Sequence, residues 1–140
     1  MNKFVTTMRG IVFRSDQFQP YLPDDCQVNP NVLGFELAHW LSVELAKAGV
    51  VTSYPISEDW GWFLEHRVGG REYLICCAGY ENEEPNADGA VTSFYEWKIF
   101  VEPPRAWFHR PKTDGSDVNA LMAAIETCLA DARISYEIEE

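Results

Sequence analysis

Two adjacent glycines, Gly69 and Gly70, constrain the fold of this chain more than any other feature. They separate two runs of strand-type residues, Trp60 to Val68 and Arg71 to Ala78. A two-residue glycine link between such runs predicts a β-hairpin, because glycine reaches the positive φ angles of a tight turn without a Cβ clash. Strict alternation puts Trp60, Trp62, Leu64, His66 and Val68 on one face of the first strand. Gly61, Phe63, Glu65 and Arg67 fall on the other.

The hairpin sits in a longer series of elements. Gly10 to Arg14 reads as a first strand, and residues 15–30, with three prolines, as a long connection. Asn29-Pro30 predicts a helix start, with Asn29 as cap and Pro30 at the first helical position. Leu33, Leu37, Trp40, Leu41, Leu45 and Ala48 recur at helical spacing, and Gly49 supplies a left-handed end. Val50 to Tyr54 reads as a strand closed by Pro55. Residues 81–90 read as a polar, acidic loop. Val91 to Val101 reads as a strand with Val91, Ser93, Tyr95, Trp97, Ile99 and Val101 on one face, stopped by Pro103-Pro104. After a loop over 105–115, Ser116 or Asp114 caps a second helix with an apolar stripe of Val118, Leu121, Met122, Ile125, Cys128, Leu129 and Ala132. Asp131 to Arg133 turns the chain into a last strand, Ile134 to Ile138.

Consecutive strands joined by a tight hairpin require an antiparallel or mixed sheet, and two one-sided helices can cover one of its faces. The expected fold is α+β: a two-layer sandwich with a mostly antiparallel sheet of five to six strands and two helices on one face. At 140 residues, without repeat or linker, residues 1–140 read as one domain.

Charge narrows the partners. Acidic side chains number 22 against 11 basic ones, a formal charge of −11. That field repels phosphates and anionic lipid heads, so neither nucleic acid nor a membrane surface is expected, and a basic partner is favoured. No run approaches the ~20 apolar residues of a membrane span, and no secretory signal is visible near Met1. Cys26, Cys76, Cys77 and Cys128 show no disulfide-framework spacing, so they read as reduced thiols of a cytoplasmic protein.

Glu58-Asp59-Trp60-Gly61-Trp62 sets two carboxylates before two tryptophans. Alternation sends both rings to the core; side-chain chemistry makes the segment a binding edge, with Trp60 as anchor and the acids meeting a basic surface. Glu84-Pro85-Asn86-Ala87-Asp88-Gly89 resembles the start of a calcium loop, but Tyr95 occupies the position that needs a bidentate Glu. His39, His66 and His109 lack zinc-site spacing. His66 with Glu58 or Asp59 could form a base and its orienter, yet no nucleophile motif accompanies them. No catalytic residue, metal or cofactor is assigned. Arg105 to Lys112 forms the one basic, aromatic run, which reads as charge compensation.

Small size, strong acidity, Glu58-Asp59-Trp60-Gly61-Trp62 and the acidic loop 81–88 together resemble the immunity proteins of bacterial polymorphic toxin systems. The resemblance implies a non-enzymatic domain that binds and neutralises a basic toxin. The residues expected to meet such a partner are Glu58, Asp59, Trp60, Glu81, Glu83, Glu84 and Asp88. The alternative is a small-ligand-binding or enzymatic α+β domain with a pocket between sheet and helices.

Overall fold

The computed structural model describes residues 10–27, 32–102 and 115–139. Six strands form one antiparallel sheet, and two helices lie on one face of it. The strands are β1 (Gly10–Arg14), β2 (Ile56–Glu58), β3 (Gly61–Val68), β4 (Arg71–Pro85), β5 (Val91–Glu102) and β6 (Glu137–Glu139), in the spatial order β2-β3-β4-β5-β1-β6. The helices are α1 (Phe35–Lys47) and α2 (Gly115–Asp131). This is the two-layer α+β sandwich that the element pattern predicts.

The β3–β4 hairpin forms as the two glycines require. Val68 pairs with Arg71, and Gly69 and Gly70 have φ of 56° and 80°. Helical stripes and strand alternation meet in one core. Leu37, Leu41 and Leu45 of α1 and Leu121, Ile125 and Leu129 of α2 are buried with Leu64, Tyr73, Ile75, Trp97, Ile99 and Val101 of the sheet. Gly49, with φ of 89°, ends α1, and Val50 N–H donates to the Leu45 carbonyl at 2.8 Å. α2 is pinned at its start, where Asp117 accepts from Tyr73 Oη at 2.7 Å and from Arg71 at 3.1 Å.

Several boundaries differ from the sequence reading. α1 begins at Phe35, and Leu33 instead bridges Gly79 through two backbone hydrogen bonds of 2.7 Å. The predicted cap at Asn29-Pro30 lies outside the described residues, as do Pro103, Pro104, Asp114 and the basic run Arg105 to Lys112 with His109. The strand expected at Val50 to Tyr54 is irregular. There Ser53 Oγ accepts Glu65 N–H at 2.9 Å, and Ser53 N–H donates to the Glu65 carbonyl at 2.9 Å. A side-chain hydroxyl thus supplies one of the edge contacts that a paired strand would make. The true edge strand, β2, starts after Pro55, where every residue again has an N–H to offer. Ile134 to Tyr136 precede β6 and do not pair in the sheet. Arg133 takes a left-handed conformation, with φ of 61°, and Ile134 N–H donates to Leu129 O at 2.9 Å, so these residues cap α2.

Two stability predictions follow from the core and from its polar pin. Leu37→Ala and Leu121→Ala each delete buried volume under the sheet and are expected to cost about 2–5 kcal/mol in denaturant unfolding. Unmoved midpoints would rule out the shared core. The Tyr73 phenol is held above its ordinary pKa, first by burial, then by its bond to Asp117 and by that carboxylate's charge, with Arg71 opposing. A raised folded-state pKa contributes stability fully below about pH 10, and that contribution is lost as pH rises through the folded value. Tyr73→Phe is expected to cost about 1–2 kcal/mol at neutral pH. The gap to the parent protein should narrow in unfolding titrations above about pH 10, and a gap independent of pH would reject the pairing.

Candidate functional site

β4 and β5 stay paired from Leu74↔Glu102 to Pro85↔Val91, but their neighbours stop early. β3 leaves β4 at Trp62↔Cys77, and β1 leaves β5 at Arg14↔Glu96. Residues 80–85 and 91–95 therefore project as a two-stranded arm. At roughly 3.3 Å per residue, Pro85 stands roughly 17 Å beyond Tyr80. The segment predicted as an acidic loop is largely strand, because Val91, Thr92, Phe94 and Tyr95 are strong strand formers that hold Glu81 to Glu84 in register. Only residues 86–90 turn. Asn86 Oδ1 accepts Asp88 N–H at 2.9 Å and Ala90 N–H at 3.0 Å.

Glu58, Asp59, Glu81, Glu83, Glu84 and Asp88 are all exposed. Glu58 pairs with Gly61 beside the base of the arm, and Asp88 sits at its tip. The predicted set is thus strung along one projection and is not a compact cluster. Alternation divides it further: Glu81 and Glu83 point to one face, and Glu84 to the other. Glu84 binds Arg14 at 3.0 and 3.4 Å, and the Arg14 guanidinium lies 3.8 Å from the centre of the Phe94 ring. Glu84 therefore braces the arm against β1. Together these contacts occupy the oxygens that the calcium-loop reading required of Glu84 and Asn86. Among the described residues no three His, Cys, Asp or Glu side chains gather as a metal site.

The two tryptophans separate, which corrects the alternation reading. Trp62 is buried on the helix side against Phe35, with ring centres 5.1 Å apart. Trp60 lies in the β2–β3 turn, and its ring turns to the helix-free face against Phe100, at 5.7 Å, and Phe63, at 6.5 Å. Trp60 is in the two-residue turn between the paired residues Glu58 and Gly61, so it stands outside the strand alternation. A Cβ at Gly61 would stand 2.5 Å from the Cys77 carbonyl, which is why glycine opens β3 so close to β4. Trp60 remains half-buried, a platform beside Glu58 and Asp59. His66 is structural: its Nδ1–H donates to the Val51 carbonyl at 2.8 Å.

One polar centre had no sequence signal beyond an acid in a first helical turn, a placement that the helix dipole explains. Glu36 is 2% exposed. Its Oε2 accepts Tyr21 N–H at 3.1 Å, Leu22 N–H at 3.0 Å and Gln27 Nε2–H at 3.3 Å, tying residues 21–27 to α1. Its Oε1 has no hydrogen-bond partner among the described residues. Above it, a groove of about 560 Å³ opens between α1 and residues 17–21. Phe18 and Trp40 meet edge to face there at 5.1 Å, and Tyr21 Oη lies 3.0 Å from His39 Nδ1. The Tyr21 phenol is shifted above its usual pKa by desolvation and then by the Glu36 charge.

Comparison with protein-family models, curated proteins and solved structures gives no match to this chain. The reading of the site rests on its own geometry.

The cysteines separate cleanly by environment. Burial pushes the Cys77 thiol far up, and the adjacent Cys76 adds to the shift. Cys128 is raised by burial and then by Glu44 and Asp131. Cys76 is also buried, whereas Cys26 is exposed. A disulfide reagent at neutral pH should therefore modify Cys26 rapidly and the other three only on unfolding. Rapid loss of any thiol from the folded Cys26→Ser variant would contradict this arrangement.

Proposed function

We propose that this chain is a non-enzymatic protein-binding domain whose acidic arm receives a basic protein. In its concrete form it is an immunity protein that neutralises a toxin in the cytoplasm. The observation that carries the reading is the arm itself: a hairpin extended past both flanking strands, with Glu81, Glu83 and Asp88 exposed along it and Glu58 and Asp59 at its base. Paired backbone holds Glu58, Glu81 and Glu83 in fixed positions, so a partner meets a preformed pattern. The space between sheet and helices is filled by Leu37, Leu41, Trp97, Ile99 and Ile125, all fully buried, which favours binding on an outer surface. No helix among the described residues is long and apolar enough to cross a membrane.

Exposed carboxylates steer a cationic partner and orient it, and salt weakens the effect. Most of the affinity must come from aromatic surface that loses water on contact, for which half-buried Trp60 and 40%-exposed Tyr80 are placed at the base of the arm. The test is surface-binding kinetics against the product of the adjacent gene at several salt concentrations. Glu81→Lys with Glu83→Lys should slow association about tenfold or more at low salt and flatten its salt dependence. Trp60→Ala should mainly speed dissociation. Salt-independent association that neither change alters would reject the acidic-arm reading.

A further inference from the structure

The groove above Glu36 has chemistry that the arm does not explain. Phe18, Tyr21 and Trp40 supply aromatic surface, Glu36 and Glu44 supply negative charge, and among the described residues no Lys or Arg lines it. Glu36 has no ion pair among the described residues, and its buried Oε1 has no donor. Glu44, across the groove, holds only a surface pair with Lys47 at 3.0 Å, a contact that an arriving cation displaces at little cost. Half-buried Trp40 already has an edge-to-face partner in Phe18, which keeps its indole in place as a wall.

We propose that this groove is a binding site for an alkyl-guanidinium group, the arginine side chain of a basic protein partner. A guanidinium is planar and weakly hydrated, so it stacks on an indole or phenol face while its N–H groups donate in the plane to carboxylate and amide oxygens. The groove is lined by both kinds of side chain: Trp40 and Tyr21 for the plane, and the Glu44 carboxylate with the polar Gln17 and Gln19 for the donors, although Gln19 Nε2–H already donates to the Asp16 carbonyl at 3.0 Å. Glu36 beneath, hydrogen-bonded through Oε2 but paired with no cation among the described residues, adds attraction for any cation that enters. A neutral isostere would gain the stacking but not the charge.

A protein source follows from continuity with the arm. Gln19 lines this groove and also a second cleft, formed with Asp16, Phe94, Tyr95 and Arg14 where β1 leaves β5, and the Arg14 charge there is matched by Glu84 at 3.0 Å. An extended basic segment that crosses the arm base can therefore place one side chain in the groove. This assignment of source rests on the protein-binding reading above, whereas the guanidinium chemistry of the groove stands without it.

The test is an NMR titration with Nα-acetyl-arginine methylamide and, in parallel, its neutral citrulline counterpart. The arginine probe should give saturable shifts at the Trp40 indole N–H, assigned with Trp40→Phe, and at the His39 ring. A dissociation constant of about 1–10 mM is expected for a ligand of this size. Glu44→Gln should weaken binding at least about threefold, while Glu81→Lys with Glu83→Lys leaves it within about twofold. Absence of saturation, equal binding of citrulline, or indifference to Glu44→Gln overturns the site. Arginine binding that responds to Glu44→Gln, together with partner binding that does not, overturns the protein source.

Discussion

The β4–β5 ladder is the constraint on which the rest of the molecule depends. It runs without a break from Leu74↔Glu102 to Pro85↔Val91, and the shorter strands add to its inner half. Trp97 is its keystone. The indole is fully buried and lies over Gly79 on the neighbouring strand, where a Cβ would sit 2.4 Å from the ring. Its Nε1–H donates to the Ser15 carbonyl at 3.0 Å, so one side chain fills the core, occupies the space that a glycine leaves, and turns the chain after β1. Gly79 itself exchanges hydrogen bonds with Leu33, which brings the start of α1 onto the sheet. Core, strand pairing and helix docking are thus coupled at one cross-strand pair.

A buried carboxylate organises the opposite side of α1. Glu36 has given up water, and three N–H donors to one oxygen compensate for it. Charge-assisted bonds of this kind are stronger than neutral ones, and leaving them unmade is costly, so Glu36 holds residues 21–27 against the helix. Phe18 packs between Phe13, Trp40 and Trp97 and continues the attachment in apolar form. Because this strap is fixed at both levels, the space between it and α1 is a formed groove and not a transient gap. The negative charge beneath that groove is a consequence of how the strap is fastened.

The acidic surface and the aromatic surface have different physical roles. Carboxylates on the arm act over about a Debye length, roughly 10 Å at 0.1 M salt, and so govern approach and orientation. Half-buried rings such as Trp60 and Trp40 act only in contact, where their desolvation contributes most. The arm carries its charges out along its length, and Trp60 lies near its base. Glu84 shows that position matters more than composition: it belongs to the same acidic run, yet it is spent on Arg14 within the fold.

The sequence by itself determined whatever depends on neighbours along the chain. The Gly69-Gly70 turn, the Gly49 helix end, the stripes on α1 and α2 and the alternation of Val91 to Val101 are local patterns. Local backbone sterics and one-sided burial suffice to read them, and together they specify an α+β sandwich. Tertiary structure decided where those patterns start and stop. Glu81 to Glu84 look like loop until Thr92 to Tyr95 pair with them, and Trp60 looks like strand until the pairing of Glu58 with Gly61 leaves it in a turn. Val50 to Tyr54 reads as a strand until Ser53 uses its hydroxyl in place of a ladder. Glu36 was invisible as a buried charge, since the backbone donors that permit its burial lie 14 and 15 residues earlier in the chain. Periodicity reports which face a residue prefers, but a charge becomes buried only when distant backbone groups come within about 3 Å of it, and that proximity exists only in the folded chain.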